Sequence, residues 1–542
     1  MPIWSTSDNR LLMTISLSRI LHDKATSFSS REALRIRDKG ITYDELNVRA
    51  LAVAAALNEC GAFRETIGIV GQRKLSSYVG VVAALYAGCH YTPINPKYNE
   101  DRILAMLRDA KIRFLIGDRS DLELLEPVLS CGEATSIEVV IVPEGEAPSG
   151  KANWRGEGSL RNLTPLARPL ESKPEDLAYI LYTSGSTGVP KGVQVQNSNI
   201  LAFLRSMSAI YRLEAGFRAS QTFDFSFDPS VSDMFFTWTQ GGVLCVLPEE
   251  EMLLPHEFIQ RERIEYWNSV PAVAGFMNKM GKLKPAVFPD LRYSMFCGEQ
   301  FPQQLANAWQ QAAPNSTVEN LYGPTEATIY ISRYLYGPSE HAKSFKNSII
   351  PIGRAFLDHE FALIDDAGNR LPSQETGEIV YKGPQITRGY LHDPVKTEAA
   401  FVSFPWDHSG SRWYKSGDLG FYNADGNLEC IGRKDSQIKL GGRRIEIGEI
   451  EAILGRYPET SDAVVVPLRD ENQVVTGCVA FTMHQVSKTV ERHIREDSIK
   501  HLERIFFPKK IITIEVFPVS PSGKKDRKAL SALAQQMLST NT

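Results

Sequence analysis

The sequence predicts an α/β protein in two parts. A large N-terminal domain holds covered, mostly parallel sheets and a β-rich subdomain, and a small α+β domain follows at the C-terminus. Three observations predict this. Through residue 116, apolar strand-like runs alternate with helical stretches, the pattern of a parallel sheet covered by helices. From Ile352 to Tyr390 the runs shorten and are separated by Gly and Asp, which reads as β structure. After Arg433-Lys434-Asp435 the order becomes hairpin, helix, strands, helix, strand, enough for a separate unit. The expected domains are residues 1–434 and 435–542.

The elements follow in order. Thr42 to Leu57 has helical apolar spacing behind a Thr42-x-x-Glu45 capping box. Glu65 to Val70 is a strand, Ser76 to Tyr86 an apolar helix ending at Gly88, and Tyr91 to Pro96 a turn-rich passage. Asp101 to Asp109 is a helix and Arg113 to Ile116 a strand. Pro143 to Glu175, rich in Pro, Gly and charge, reads as a surface excursion. Ser198 to Tyr211 is helical, Phe223 to Thr239 an aromatic-rich loop and helix, and Val243–Leu247 and Val318–Tyr322 are strands. In the second unit come a helix (Ile447 to Leu454), strands (Asp462 to Pro467, Gln473 to Thr482), a helix (Val490 to Arg504) and a strand (Ile511 to Val516).

Between the excursion and the helix at Ser198 lies the stretch Leu181-Tyr-Thr-Ser-Gly-Ser-Thr-Gly-Val-Pro-Lys-Gly192. A buried strand, Leu177 to Leu181, feeds a loop of three glycines, four hydroxyl residues and one lysine. Glycine lets the backbone approach a ligand closely. Successive N–H groups and hydroxyls can wrap a polyphosphate, and Lys191 adds a mobile charge. The Walker A spacing is absent.

Bulk properties exclude several classes. The 542 residues are 43% hydrophobic and 23% charged, ordinary for a globular protein. A net charge of −4 gives no pull toward nucleic acid or anionic membrane. No apolar run is long enough to span a bilayer, and Met1 to Arg19 lacks a signal-peptide core. The seven scattered cysteines form no Cys-x-x-Cys, and the ten histidines form no ligand spacing. These features point to a reducing, cytoplasmic setting without a disulfide or zinc framework.

The loop resembles the phosphate loop of the adenylate-forming enzymes: acyl-CoA synthetases, luciferases and peptide-synthetase adenylation domains. Further stretches match in the family's order. They are Asn320-Leu-Tyr-Gly-Pro-Thr-Glu326, Gly377-Glu378-Ile379, Tyr414-Lys-Ser-Gly-Asp418, Gly432-Arg-Lys-Asp435, Gln437 through Glu446, and Pro521-Ser-Gly-Lys-Lys-Asp-Arg527. Within the family, Phe225 through Asp233, Met295 through Glu299 and Gln437-Ile-Lys-Leu are most similar to D-alanine–carrier protein ligases. A stand-alone glycine–carrier protein ligase of lipid A modification is a second likeness. Departures are Asn95, Asn197 and Ser522, none of which removes a charged catalytic group.

The resemblance implies ATP and Mg2+ as cofactors and assigns roles by register. Thr183, Ser184, Gly185, Ser186, Thr187, Gly188 and Lys191 would handle the phosphates, and Glu326 would hold the metal. Tyr322, Gly323 and Thr325 would border the nucleotide, Tyr322 facing the adenine. Asp418 would accept from both ribose hydroxyls beside Arg433. Lys524 would bridge substrate carboxylate and α-phosphate as charge develops. The C-terminal domain would be mobile about a hinge at Asp435, exchanging Lys524 for a thiol tunnel lined by Gly441 and Gly442.

Asp228 matches the aspartate that holds the α-amino group in amino-acid-activating relatives, which argues against fatty or aryl acids. The implied pocket wall is Pro229, Ser232, Ser269, Met295, Cys297, Leu321, Ile329 and Tyr330. Leu321 and Tyr330 are larger than their counterparts in D-alanine ligases, which favours glycine, with D- or L-alanine next and proline a further possibility. The expected partner is a separate carrier protein bearing a phosphopantetheine thiol, because the chain has no Gly-Gly-x-Ser carrier motif. The rivals are an acyl-CoA synthetase and a non-catalytic nucleotide-binding protein.

Overall fold

Two sheets of parallel character meet along a shared core. The computed structural model describes residues 16–130, 137–183, 190–337, 340, 343, 345–434, 437–470, 474–498, 502–518 and 525–539.

The first sheet has eight strands around the parallel set Leu177–Thr183, His90–Ile94, Thr66–Val70, Phe114–Gly117, Val139–Ile141 and Trp154–Arg155. Lys191–Gln196 returns antiparallel along Leu177–Thr183, pairing Lys191 with Thr183, and Gly389–Tyr390 closes that edge. The second sheet has nine strands. Its parallel centre runs Thr317–Tyr322, Tyr293–Phe296, Tyr266–Ser269, Arg218–Gln221, Val243–Val246, Glu32–Ile36. Two helices, Tyr43–Glu59 and Leu75–Tyr86, pack between the sheets in one core that includes Ile69, Leu244 and Tyr266.

The expected capping box is present: Thr42 accepts from the Glu45 N–H, and Glu45 accepts from the Thr42 N–H at 2.9 Å. That exchange satisfies two otherwise orphaned donors at the helix start. One passage differs from expectation. Tyr91 to Pro96 reads as turns, yet His90–Ile94 is a strand, buried from Tyr91 onward. Pro93 pairs in register with Ile69, while the neighbour on the other side is engaged only at Tyr91, so the missing N–H costs little. The surface excursion contains the short strand Trp154–Arg155 and the helix Glu157–Arg161.

A five-stranded antiparallel sheet makes the β-rich subdomain: Glu360–Ile364, Gly377–Lys382, Trp413–Tyr422 and Phe401–Val402, with Leu428–Arg433 beside Trp413–Tyr422. The smaller C-terminal domain has the hairpin Gln437–Leu440/Arg443–Glu446 and the sheet Val464–Arg469, Val475–Thr482, Lys510–Thr513. Helices Ile447–Leu454 and Arg527–Ser539 cover this sheet, and Arg527 pairs with both oxygens of Glu451 at 2.7 and 2.8 Å. The helix expected over Val490 to Arg504 is Lys488–Ser498, and the chain then tightens into a 3-10 turn at Arg504–Phe506. Among the described residues no helix is long and apolar enough to cross a membrane, and Cys60, Cys89, Cys245, Cys297, Cys430 and Cys478 are free thiols.

Candidate active site

One cavity joins both sheets, the β-rich subdomain and the C-terminal hairpin. Asp228, Cys297, Gly323, Asp418 and Arg444 all face it. The N-terminal contributors follow the carboxyl ends of parallel strands, where open α/β sheets place their ligands.

The strand Leu177–Thr183 reaches the cavity at Thr183, its last residue. Ser184, Gly185, Ser186, Thr187 and Gly188 lie outside the described residues, as do Asp435 and Lys524. Lys191 opens the return strand with its ammonium 5.2 Å from the centre of the Tyr390 ring. Burial pulls its pKa down from the usual lysine range.

Glu326 sits in the 3-10 turn Thr325–Ala327 and has no exposed surface. Tyr390 donates its hydroxyl to Oε1 at 2.8 Å, and Arg444 of the C-terminal hairpin lies 3.4 Å from Oε2. Burial alone would push this carboxyl up, but Arg444, a backbone N–H, Tyr390 and Lys191 outweigh it and hold it below the ordinary range. No group of three or more His, Cys, Asp or Glu side chains that could hold a metal occurs among the described residues. A single buried carboxylate near Lys191 fits a hard cation brought in on phosphate oxygens, not one caged by protein alone. Magnesium held there would supply charge neutralisation for the polyphosphate.

Asp418 is the centre of three groups. Tyr322 donates to Oδ2 at 2.5 Å and Arg433 to Oδ1 at 2.8 Å. Asp418 and Arg433 are cross-strand partners of the β-rich subdomain, so the pairing fixes their geometry. The phenol expected to face an adenine is tied to Asp418, and Lys439 lies 5.5 Å from its ring centre. A second cavity behind this group is lined by Asn320, Tyr322, Ile350, Ile352 and Gln437.

Another carboxylate of the cavity, Asp228, is 8% exposed and accepts from the Ile329 N–H at 3.2 Å. Burial pushes its carboxyl up to about 7, against hydrogen bonds from Thr325 and Ile329 that pull it down. The turn that presents Ile329 is strained: Thr328 and Ile329 have φ of 56° and 74°, a region hostile to β-branched residues. Gln385, fully buried, holds it open by donating to the carbonyls of Ala327, Thr328 and Tyr330 at 3.3, 2.9 and 2.8 Å. Gly323 is required where this turn returns, because a Cβ would lie 2.3 Å from the Ile329 carbonyl oxygen.

Pro229, Cys297, Ile329 and Tyr330 line the cavity with Asp228. Met295 and Leu321 are buried in the core behind that wall, and Ser232 is buried in the π-helical turn Ser232–Phe236. Ser269 is not brought to the cavity: its hydroxyl accepts from Trp267 at 3.0 Å and donates to the Val270 carbonyl at 3.3 Å. Its neighbour Asn268, not singled out from sequence, reaches Tyr330 instead.

The hairpin closes the cavity. Gly442 donates its N–H to Glu299 at 2.9 Å, and a Cβ there would lie 2.3 Å from Val270. Gly441 and Gly442 have φ of 60° and 73°. Arg443 stacks 5.7 Å over Phe227, and beyond it the cavity reaches Lys97, Tyr98 and Arg102.

Thr183, Asp228, Asp418 and Arg444 line one cavity between the N-terminal sheets and the C-terminal hairpin, and the fold is that of the adenylate-forming enzymes. The AMP-binding enzyme profile matches residues 21–391 and the AMP-binding enzyme C-terminal domain profile matches residues 449–524, so the chain belongs to this family. It is 32% identical to tyrocidine synthase 2 of Brevibacillus parabrevis over 95% of its length, and 30% identical to polyketide synthase PksN of Bacillus subtilis (strain 168) over 97%. The chain spans only 14% and 9% of those two proteins. Among solved structures it is similar to the Vibrio cholerae adenylation domain AlmE in complex with glycyl-adenosine-5'-phosphate. That match has a TM-score of 0.83 and 29% identity, covering 96% of this chain and 98% of that one.

Proposed function

We propose that the chain, divided at residues 1–434 and 435–542, activates a small amino acid with ATP and then loads it onto a carrier protein. Glycine is favoured, then D- or L-alanine. The observation that carries this is Asp228: a buried carboxylate facing the cavity, held by one N–H and one hydroxyl and with no cationic side chain paired to it among the described residues. An α-ammonium supplies that cation, and an acid without one leaves the carboxylate uncompensated. The crystallised glycyl-adenylate complex of AlmE is consistent with the same size class.

In the first half-reaction an oxygen of the amino acid's carboxylate attacks the α-phosphorus of ATP. The bond to the β-phosphate oxygen breaks, giving aminoacyl-AMP and pyrophosphate. Lys191 and the loop hold the phosphates, Glu326 the metal, and Asp418 with Arg433 the ribose. Lys524 meets the developing charge, and the main requirement is alignment with charge neutralisation. In the second, a phosphopantetheine thiol loses its proton, its sulfur attacks the carbonyl carbon, and AMP leaves. The seated hairpin at Gly441-Gly442 supports a domain orientation in which that thiol approaches past Arg443 and Phe227.

Pyrophosphate exchange across the twenty amino acids plus D-alanine tests the reading. Exchange with glycine or alanine, abolished in Lys524→Ala, is expected. Exchange only with fatty or aryl acids makes the protein an acyl-CoA synthetase and overturns it.

A further inference from the structure

We propose that Asp233, which does not line the cavity, sets the size of the accepted amino acid by fixing Tyr330 through Asn268. The inference rests on the amino-acid reading above and deepens it.

Tyr330 lines the pocket with Cys297, whereas Asn268 and Asp233 do not line it and have no exposed surface. The Asn268 amide nitrogen lies 2.8 Å from Asp233 Oδ1 and 2.9 Å from the Tyr330 hydroxyl. A primary amide has two N–H donors and both are used here. An Asp233 oxygen accepts, so it forces the NH2 side of the amide toward itself, and the second N–H then points at the Tyr330 oxygen. Cys297 adds a thiol contact to the same oxygen at 3.5 Å.

The other degrees of freedom of Tyr330 are taken up too. Its carbonyl accepts from Gln385 at 2.8 Å, and its ring packs against Phe203 with centroids 6.0 Å apart. The ring is thereby held in the pocket wall by backbone, face and hydroxyl together. Asp233 reaches Asn268 because it lies in the π-helical turn Ser232–Phe236, an irregularity common at functional sites. The same helical segment begins at Asp228, so one segment carries both the ammonium anchor and the brace of the wall opposite.

Asp233 is therefore a positioning residue. In Asp233→Leu the amide is free to turn over, Tyr330 loses its fixed donor, and the pocket wall yields to a longer side chain. The readout is pyrophosphate exchange by the full chain. It compares kcat/KM for the preferred amino acid with that for its analogue one methylene longer, glycine against alanine. One methylene is worth about 10–200-fold in such discrimination. We expect Asp233→Leu to reduce the wild-type ratio about tenfold or to abolish it if smaller. Asp233→Asn keeps an oxygen acceptor and is expected to stay within about twofold of wild type, since only the acceptor is needed. Tyr330→Phe should relax the ratio as Asp233→Leu does.

A purely structural Asp233 would lower activity with both amino acids alike. An unchanged ratio in Asp233→Leu, or a ratio equally relaxed in Asp233→Asn, overturns the proposal. Should Asp233→Leu not fold, Asn268→Leu reads the same link with the same two outcomes. Wild-type protein that exchanges with no amino acid refutes the underlying reading; wild-type exchange with an unmoved ratio refutes the brace alone.

Discussion

Replacing Asp228 by Asn should stabilise the empty protein while crippling it. Burial pushes the Asp228 carboxyl up to about 7, against about 3.9 for a free aspartate. A carboxyl whose folded pKa is raised favours folding when protonated. Its contribution is present at low pH and is lost as pH rises from about 4 to about 7. At about 1.4 kcal/mol per unit, the ionised group costs the empty fold up to about 4 kcal/mol at pH 8 and about 1.5 kcal/mol at pH 5. Asp228→Asn removes that cost. Thermal unfolding should give a Tm several °C above wild type at pH 8, with the gap shrinking below pH 5. Glycine should narrow the gap by raising only the wild-type Tm. A charge-assisted hydrogen bond is worth about 1.5–3 kcal/mol, so the KM for the amino acid in pyrophosphate exchange should rise about 10–150-fold. A variant no more stable than wild type at pH 8, or one with unchanged KM, refutes the reasoning.

Three further outcomes follow from the same cavity. Gly442→Ala places a Cβ 2.3 Å from Val270 at a positive φ. It should slow transfer to the carrier more than about tenfold while leaving pyrophosphate exchange within about twofold, read by comparing the two half-reactions. Arg444→Ala leaves Glu326 buried without its guanidinium. The carboxyl should move up toward neutrality, and pyrophosphate exchange, which needs Glu326 ionised to hold the metal, should fall below pH 7 relative to wild type, read from a pH profile. Gln385→Leu strips one donor from three carbonyls. It should lower stability by about 1–3 kcal/mol and raise the amino-acid KM, read by denaturation and exchange.

Much of this was legible in the chain because local chemistry and global fold agree. The Thr42–Glu45 box, the buried strand Leu177 to Leu181 and the switch to β-rich structure each follow from spacing alone. Asp228, Glu326 and Asp418 stand out in the sequence because each sits in a stretch with a fixed family register. The pocket wall was harder to read. The strand Tyr266–Ser269 is buried at every position, so alternation carries no sign of which side chain faces the substrate. Ser269 was singled out from that strand, and Asn268 beside it makes the contact with Tyr330. Arg444 lies in the matching stretch Gln437 through Glu446, yet its place in a basic pair gives it no role of its own. Only closure of the C-terminal domain onto Glu326 separates it from Arg443.

Tyr390 has a consequence of its own. Its ring lies beneath the Lys191 ammonium, its hydroxyl holds Glu326, and its strand pairs with the one that leaves the phosphate loop. Anyone transplanting this loop into another scaffold, or retuning the acidic residue for a different ion, would have to carry the phenol along. The two sites share one side chain, so neither can be engineered as an independent module.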